Sequence, residues 1–239
     1  MFLTRNNTEK YPEWLENATI NGSFALIDKE KDWTSFDVVA KLRNLTKVKK
    51  VGHTGTLDPL ATGLLIICFG KGTKKANEFM NLPKKYNAKI KLGATTKTDD
   101  AEAEEENIKQ VPDLSHEELS SVLKNFTGKI KQVPPMFSAK RVKGERLYKM
   151  ARKNFTLVLE PVDIEIYSIS NLDVSLPYIT FDVECSKGTY IRSLARDIGK
   201  DLETGGYLAE LRRLSIGEYN ISDALRVNEF VELHKNYIK

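Results

Sequence analysis

The sequence predicts an α+β fold built on a largely antiparallel sheet, and three observations carry that prediction. Strand-period and helix-period segments are both present, but they do not alternate as the strand–helix–strand units of a parallel sheet. Hairpins and isolated helices are mixed along the chain. In two of the strand-like runs the apolar residues recur at every second position, as strands with one buried face require.

The elements follow in order. "GSFALIDK" reads as a strand closed by a polar turn. Ser35 is placed to cap a helix whose Val38, Val39, Leu42 and Leu45 follow helical spacing. "GLLIICFG" is apolar throughout and reads as a buried strand. Tyr86, Ala88, Ile90 and Leu92 alternate with Lys85, Asn87, Lys89 and Lys91, giving a half-exposed strand. Ser115 and Glu118 form a capping box for a helix bearing Leu119, Val122, Leu123 and Phe126, ended at Gly128. Pro134 and Pro135 hold "QVPPMFSAKRVKGE" extended, and a short helix is expected through Leu147 to Arg152. Ile179, Phe181, Val183 and Cys185 alternate with polar residues in a further strand. Gly188 then turns the chain into a helix with Ile191, Leu194, Ala195 and Ile198 on one face.

With 239 residues, 41% of them hydrophobic and 29% charged, the chain has the composition of a globular protein. The longest apolar run, Leu64 to Phe69, is strand length and far short of a membrane span. The N-terminus lacks the basic start and apolar centre of a signal peptide. Cys68 and Cys185 both lie in strand-like runs and read as reduced core thiols of a cytoplasmic protein.

The net charge is only +4, but it is unevenly spread. Lys41 to Lys50 carries five basic residues and no acidic one; Lys131 to Lys153 carries eight against Glu145 alone. Phe137, Tyr148, Met150 and Phe155 are interleaved with the second group, a pattern that suits a phosphate backbone as well as a solvated helix. Asp99 to Glu106 ("DDAEAEEE") reads as a solvated acidic loop.

Metal chemistry is disfavoured, because His53, His116 and His234 are far apart and no Cys-x-x-Cys exists. His116 and His234 read as surface residues of helices. No Walker loop and no Gly-x-Ser-x-Gly elbow is present. What remains is Asp58, a lone carboxylate between a turn and a buried strand. It either closes an Asx-type turn before Pro59 or acts as a nucleophile or proton acceptor, if something holds it ionised. Arg192 in the first turn of its helix faces the positive end of the macrodipole and favours a nearby anion. Tyr86 is either a core tyrosine or one whose hydroxyl faces a pocket.

From about Ser23 to Leu214 the chain resembles the bacterial tRNA pseudouridine synthase B (TruB) family. "VGHTGTLDPLATGLL" looks like that family's catalytic motif, "KKYNAKIKLGATTKTDD" like its second, "QVPPMFSAKRVKGERLYKMAR" like an RNA-gripping segment, and "VECSKGTYIRSLARDIG" like its arginine-bearing motif; "LRRLSIG" closes the set. The resemblance implies the pseudouridine synthase fold and isomerisation of uridine 55 in the T-loop of tRNA. It implies no cofactor and no metal. Asp58 is then the nucleophile and Arg192 its partner, while Tyr86 stacks on the target base and assists proton removal. Tyr190 and Leu211 line the pocket, and His53 takes the space left by the flipped base. Lys29 and Lys140 are expected to contact RNA.

Two departures stand out. The family's first motif usually reads Lys-Pro-x-Gly, and here it is Lys29-Glu30-Lys31-Asp32; aspartate tolerates a left-handed turn better than most residues. The expected domain plan is an N-terminal extension over 1–22 and a catalytic domain over 23–239 with a basic insertion at about 99–155. No C-terminal PUA domain is evident, only a short strand and one helix after Leu214. The partner implied is the T-arm of tRNA, bound by a monomer with no protein partner and no membrane.

Overall fold

The structure, a computed structural model, describes residues 1–138, 141–142, 145–146, 157 and 159–238. In chain order its first elements are β1 (Phe2–Leu3), α1 (Tyr11–Ile20), β2 (Ser23–Lys29), α2 (Ser35–Thr46), β3 (Val51–His53), β4 (Thr62–Phe69) and α3 (Ala76–Met80). There follow β5 (Lys84–Leu92), β6 (Thr95–Thr96), β7 (Glu105–Glu106), α4 (His116–Asn125), β8 (Gly128–Gln132), β9 (Arg141–Val142) and β10 (Glu145–Arg146). The last are β11 (Val162–Ser175), β12 (Tyr178–Cys185), α5 (Ile191–Asp201), β13 (Gly206–Ile216), β14 (Tyr219–Asn220), β15 (Leu225–Arg226) and α6 (Val227–Ile238). The pairing is mixed and mostly antiparallel, with helices flanking the strands, as the sequence predicts. The chain forms two compact units, Met1–Tyr86 with Leu211–Lys239, and Asn87–Glu210.

In the first unit the strand order is β1-β2-β4-β13. β2 and β4 pair antiparallel from Ser23↔Phe69 to Lys29↔Gly63, and β13 joins β4 in parallel through Arg212↔Thr62 and Arg213↔Gly63. Both faces of β4 are covered, which is why its sequence is apolar without alternation. Leu65, Ile67 and Phe69 face a core with Trp14, Val38, Leu42 and Phe230 from α1, α2 and α6. Leu64, Ile66 and Cys68 face a second cluster with Phe24, Phe79 and Ile216. Residues 1–22 belong to this core: Leu3, Tyr11, Trp14 and Ala18 are buried, and the Trp14 indole donates to the Phe24 carbonyl at 2.7 Å.

In the second unit the order is β13-β5-β12-β11-β8, with β11 antiparallel to both β12 and β8. Ala88, Ile90 and Leu92 of β5 and Ile179, Phe181, Val183 and Cys185 of β12 are buried, together with Leu194, Ala195 and Ile198 of α5. α5 meets β13 backbone to backbone. A Cβ on Gly199 would lie 2.2 Å from the Gly206 nitrogen, so no larger residue fits there.

Several local expectations need correction. The cap of α2 is Thr34, whose hydroxyl accepts from Asp37 N–H while Asp37 answers to the Thr34 N–H. Ser35 is the first helical residue and is turned inward for another purpose, described below. α4 ends at Asn125, and Gly128 (φ +96°) opens β8 instead of ending the helix. After Leu214 there are two short strands, β14 and β15, before α6. His234 is buried, with Nδ1 2.6 Å from the Tyr11 hydroxyl, because its face of α6 packs on α1. The acidic run is only partly solvated: Asp100 is fully buried and Glu105 and Glu106 form β7 against β6. The helix expected over Leu147 to Arg152 lies outside the described residues.

Candidate active site

In the first unit, Asp58 sits on the connection from β3 to β4. Its carbonyl accepts the Ala61 N–H at 3.1 Å, so Asp58-Pro59-Leu60-Ala61 is a β-turn with proline at the position that wants its fixed φ. Three side chains from separate elements brace the turn and the residues before it. Ser35 of α2 accepts the Leu57 N–H at 2.8 Å and donates back to the Leu57 carbonyl at 3.2 Å. Lys29, at the end of β2, is fully buried, and its ammonium donates to the carbonyls of Trp33 (2.5 Å), Glu30 (2.9 Å) and Pro59 (3.3 Å). Arg213 of β13 is 1% exposed and donates to Leu64 O at 2.6 Å and Gly55 O at 3.2 Å.

Asp32 closes the same arrangement. It adopts the left-handed conformation (φ +66°), which aspartate tolerates better than most residues, and its N–H donates to Pro59 O at 2.9 Å. Lys29 therefore grips both its own turn and the residue after Asp58. Hydrogen bonds from a charged donor contribute about 1.5–3 kcal/mol each. Lys29 and Arg213 thus hold the backbone at Pro59 and Gly55, on either side of Asp58 in the chain.

His53, at the end of β3, is half-buried, and its Nδ1 accepts the Gly55 N–H at 3.3 Å. Burial, followed by the charge of Arg213, lowers its pKa, so the imidazole is held neutral. Leu211 lies on β13 at the edge of burial, its carbonyl accepting from Thr62 Oγ1 at 3.5 Å. Beside it Arg212 makes a two-pronged pair with Asp28, at 2.7 and 3.2 Å. Tyr86 on β5 is half-buried, whereas Ala88, Ile90 and Leu92 of the same strand are buried.

In the second unit, Arg192 occupies the first turn of α5 and is 5% exposed. Its Nη1 donates to Thr98 O at 3.1 Å, and its Nη2 donates to Phe137 O at 2.9 Å. The Asp100 carboxylate lies 3.3 Å from Nη1 as an ion pair without a hydrogen bond, since that N–H points at Thr98. Asp100 is itself fixed by the Thr98 hydroxyl (2.5 Å) and the Glu102 N–H (3.0 Å). One turn on, Arg196 bonds Asp99 and the Val133 carbonyl, both at 3.0 Å. Burial pushes the Asp99 carboxyl upward against the opposing pull of Arg196 and Arg192. Tyr190 is clamped by Gln132, which donates to its carbonyl (3.0 Å) and accepts its N–H (2.8 Å).

Thus Asp58, Lys29, His53 and Leu211 belong to one unit with Tyr86 at its edge, and Arg192 and Tyr190 to the other. Lys140 lies outside the described residues. Sequence reasoning missed Ser35 as a brace, Arg213, Asp100 and Gln132. Only Arg213, in the family-like "LRRLSIG", carried any signal. Among the described residues no group of three or more His, Cys, Asp or Glu is placed to hold a metal ion. Among them also, no helix is long and apolar enough to cross a membrane.

The fold has clear counterparts. It superposes on the crystal structure of a Cbf5-Nop10-Gar1 complex with a TM-score of 0.73 at 25% identity, covering 94% of this chain and 58% of that one. A mixed, mostly antiparallel sheet flanked by helices, matched to this degree, defines the class: the pseudouridine synthase fold. Residues 43–191 match the N-terminal domain of the TruB family of pseudouridylate synthases, and residues 192–239 match the tRNA pseudouridylate synthase B C-terminal domain. The tRNA pseudouridine synthase B of Clostridium kluyveri is 48% identical over 83% of this chain and 68% of its own length. That of Chlorobium chlorochromatii is 46% identical over 91% and 88% respectively. The chain belongs to the TruB family and is a pseudouridine synthase, an isomerase.

Proposed function

We propose that the chain converts uridine 55 in the T-loop of tRNA to pseudouridine, with Asp58 as the nucleophile. The relatives named as tRNA pseudouridine synthases supply the substrate class. The observation that carries the nucleophile is the bracing of the Asp58 turn by Ser35, Lys29 and Arg213. A turn that served only to connect two strands has no need of a buried lysine on its own carbonyl and a buried arginine on the residues flanking it.

Substrate and product hold the same atoms. The N1–C1′ bond breaks, a C5–C1′ bond forms, and the proton lost from C5 is matched by one gained at N1. The reaction takes up no electrons and no water, so it asks for a nucleophile, a proton acceptor and room for the base to turn. A base stacked within a folded loop is out of reach of a carboxylate and has to be flipped outward. His53 fills the space left behind, and an uncharged imidazole suits that stacking role. Tyr86 stacks on the extruded base and assists removal of the C5 proton, while Tyr190 and Leu211 shape its pocket. Lys29 acts by holding Pro59, one residue beyond the nucleophile.

The test is to incubate the protein with unmodified tRNA, without added metal, and to map pseudouridine along it. Modification is expected at position 55. Asp58→Asn is expected to lose activity by a factor on the order of a thousand or more while keeping tRNA affinity. Full activity in that variant would remove Asp58 from the chemistry.

A further inference from the structure

Phe36 lies in the first turn of α2 and is 64% exposed, so it adds nothing to the core of the first unit. Single exposed apolar residues are ordinary on protein surfaces. The position of this one is not, because it follows Ser35 directly, and Ser35 is bonded to both backbone groups of Leu57, the residue before Asp58. The ring therefore stands at solvent on the helical turn that is tied, through Ser35, to the connection carrying Asp58.

Basic side chains predominate along this face of the helix and beyond its end. Phe36, Ala40 and Arg43 align on one face of α2, the ring and the guanidinium about 10 Å apart along the axis. Exposed Lys47, Lys49 and Lys50 continue past the end of the helix. Asp37, the next residue, is exposed and ionised; its carboxylate is oriented into the Thr34 cap, at 2.9 Å from the Thr34 N–H and 2.6 Å from its hydroxyl. An aromatic face flanked by guanidinium and ammonium groups matches an RNA strand, with a base on the ring and phosphates on the cations.

We propose that Phe36 is a substrate-positioning residue that stacks on an RNA base next to the flipped uridine, with Arg43, Lys47, Lys49 and Lys50 contacting the adjoining phosphates. This inference rests on the reading that the chain acts on tRNA. Stacking works through a π-face, so it tolerates any base and any aromatic side chain but not an aliphatic one.

The experiment measures affinity for a fluorescein-labelled, unmodified T-arm hairpin by polarisation, together with initial rates of pseudouridine formation. Phe36→Ala is expected to raise Kd and KM about tenfold, with kcat at saturating RNA nearly unchanged. Phe36→Tyr should bind within about twofold of the parent, and Phe36→Leu about as weakly as alanine. Phe36 is exposed, so the thermal midpoint of each variant should match the parent. Arg43→Ala should lower affinity and reduce the slope of log Kd against log salt by about one. The proposal is overturned if Phe36→Ala binds as the parent does, or if leucine serves as well as tyrosine. Failure of the parent to form pseudouridine would overturn the proposed function instead, and the Kd series would still decide the stacking.

Discussion

Lys29 and Arg213 are among the largest fully buried side chains, and both direct their charge at backbone carbonyls near Asp58. A lysine or arginine is almost never fully buried unless it is paired, so their enclosure marks a place where position matters more than solvation. Ser35 is the uncharged member of this set and the easiest to test. Ser35→Ala leaves the buried Leu57 N–H without its acceptor, which costs about 1–3 kcal/mol. The turn bearing Asp58 would also loosen, and misplacement by an ångström can cost a hundredfold in rate. The expected result is a lower urea midpoint together with a kcat reduced about tenfold or more. Lost stability with an unaltered kcat would separate the brace from the chemistry.

At the scale of elements, the parallel join of β4 to β13 carries Arg213 to the Asp58 connection. Gly63, with φ +106°, permits that join: a Cβ there would lie 2.3 Å from the Arg213 carbonyl oxygen and 2.6 Å from its nitrogen. Gly63→Ala therefore combines a backbone conformation that L-residues avoid with a clash against main chain, which cannot swing aside. A loss of about 3 kcal/mol or more is expected in urea unfolding. Activity should fall beyond what the unfolded fraction explains, because Arg213 shifts with its strand. The strand itself was legible from "GLLIICFG", since burial on both faces leaves a local signature. Its partner was not, because Gly63 and Arg213 are joined by a parallel pairing across a long sequence separation. The same limit hid Asp100. Its place beside Arg192 is set by hydrogen bonds from Glu102 within the run and from Thr98 just before it, and by the path of α5, whereas the composition of "DDAEAEEE" suggests only solvation. Periodicity reports which face is buried; it is silent on what a buried charge meets. Asp58, by contrast, was conspicuous in the sequence as a carboxylate without neighbours, and the motif around it carried the family.

At the scale of the chain, the first unit closes its beginning onto its end. Arg5 pairs with Glu229 at 2.7 Å, Asn6 donates to Asp223 at 2.8 Å, and Tyr11 meets His234. The surface pair contributes little in water. The weight falls on Tyr11, Trp14 and Phe230, whose rings enclose this corner. Burial there lowers the pKa of His234 and raises that of Tyr11, so the neutral imidazole and the neutral phenol are both favoured. His53 is also held below its ordinary value. A histidine whose folded pKa is depressed binds fewer protons folded than unfolded, so its contribution is complete above about pH 6.5 and is lost as pH falls toward the folded value. Stability should therefore decline on acidification below about pH 6.5, by at most about 1.4 kcal/mol per pH unit for each histidine. Asp99 and Asp197, raised by burial, act in the opposite sense, gaining as pH falls through their window above the ordinary carboxylate value. The histidine contribution is isolated by comparing urea midpoints of the parent and His234→Asn across pH 5 to 8, since the asparagine amide takes the place of Nδ1 beside Tyr11 but does not titrate. A shallower decline is expected in the variant between about pH 5 and 6.5. An identical slope would mean that His234 keeps its ordinary pKa and that the closure of the two ends is insensitive to its charge.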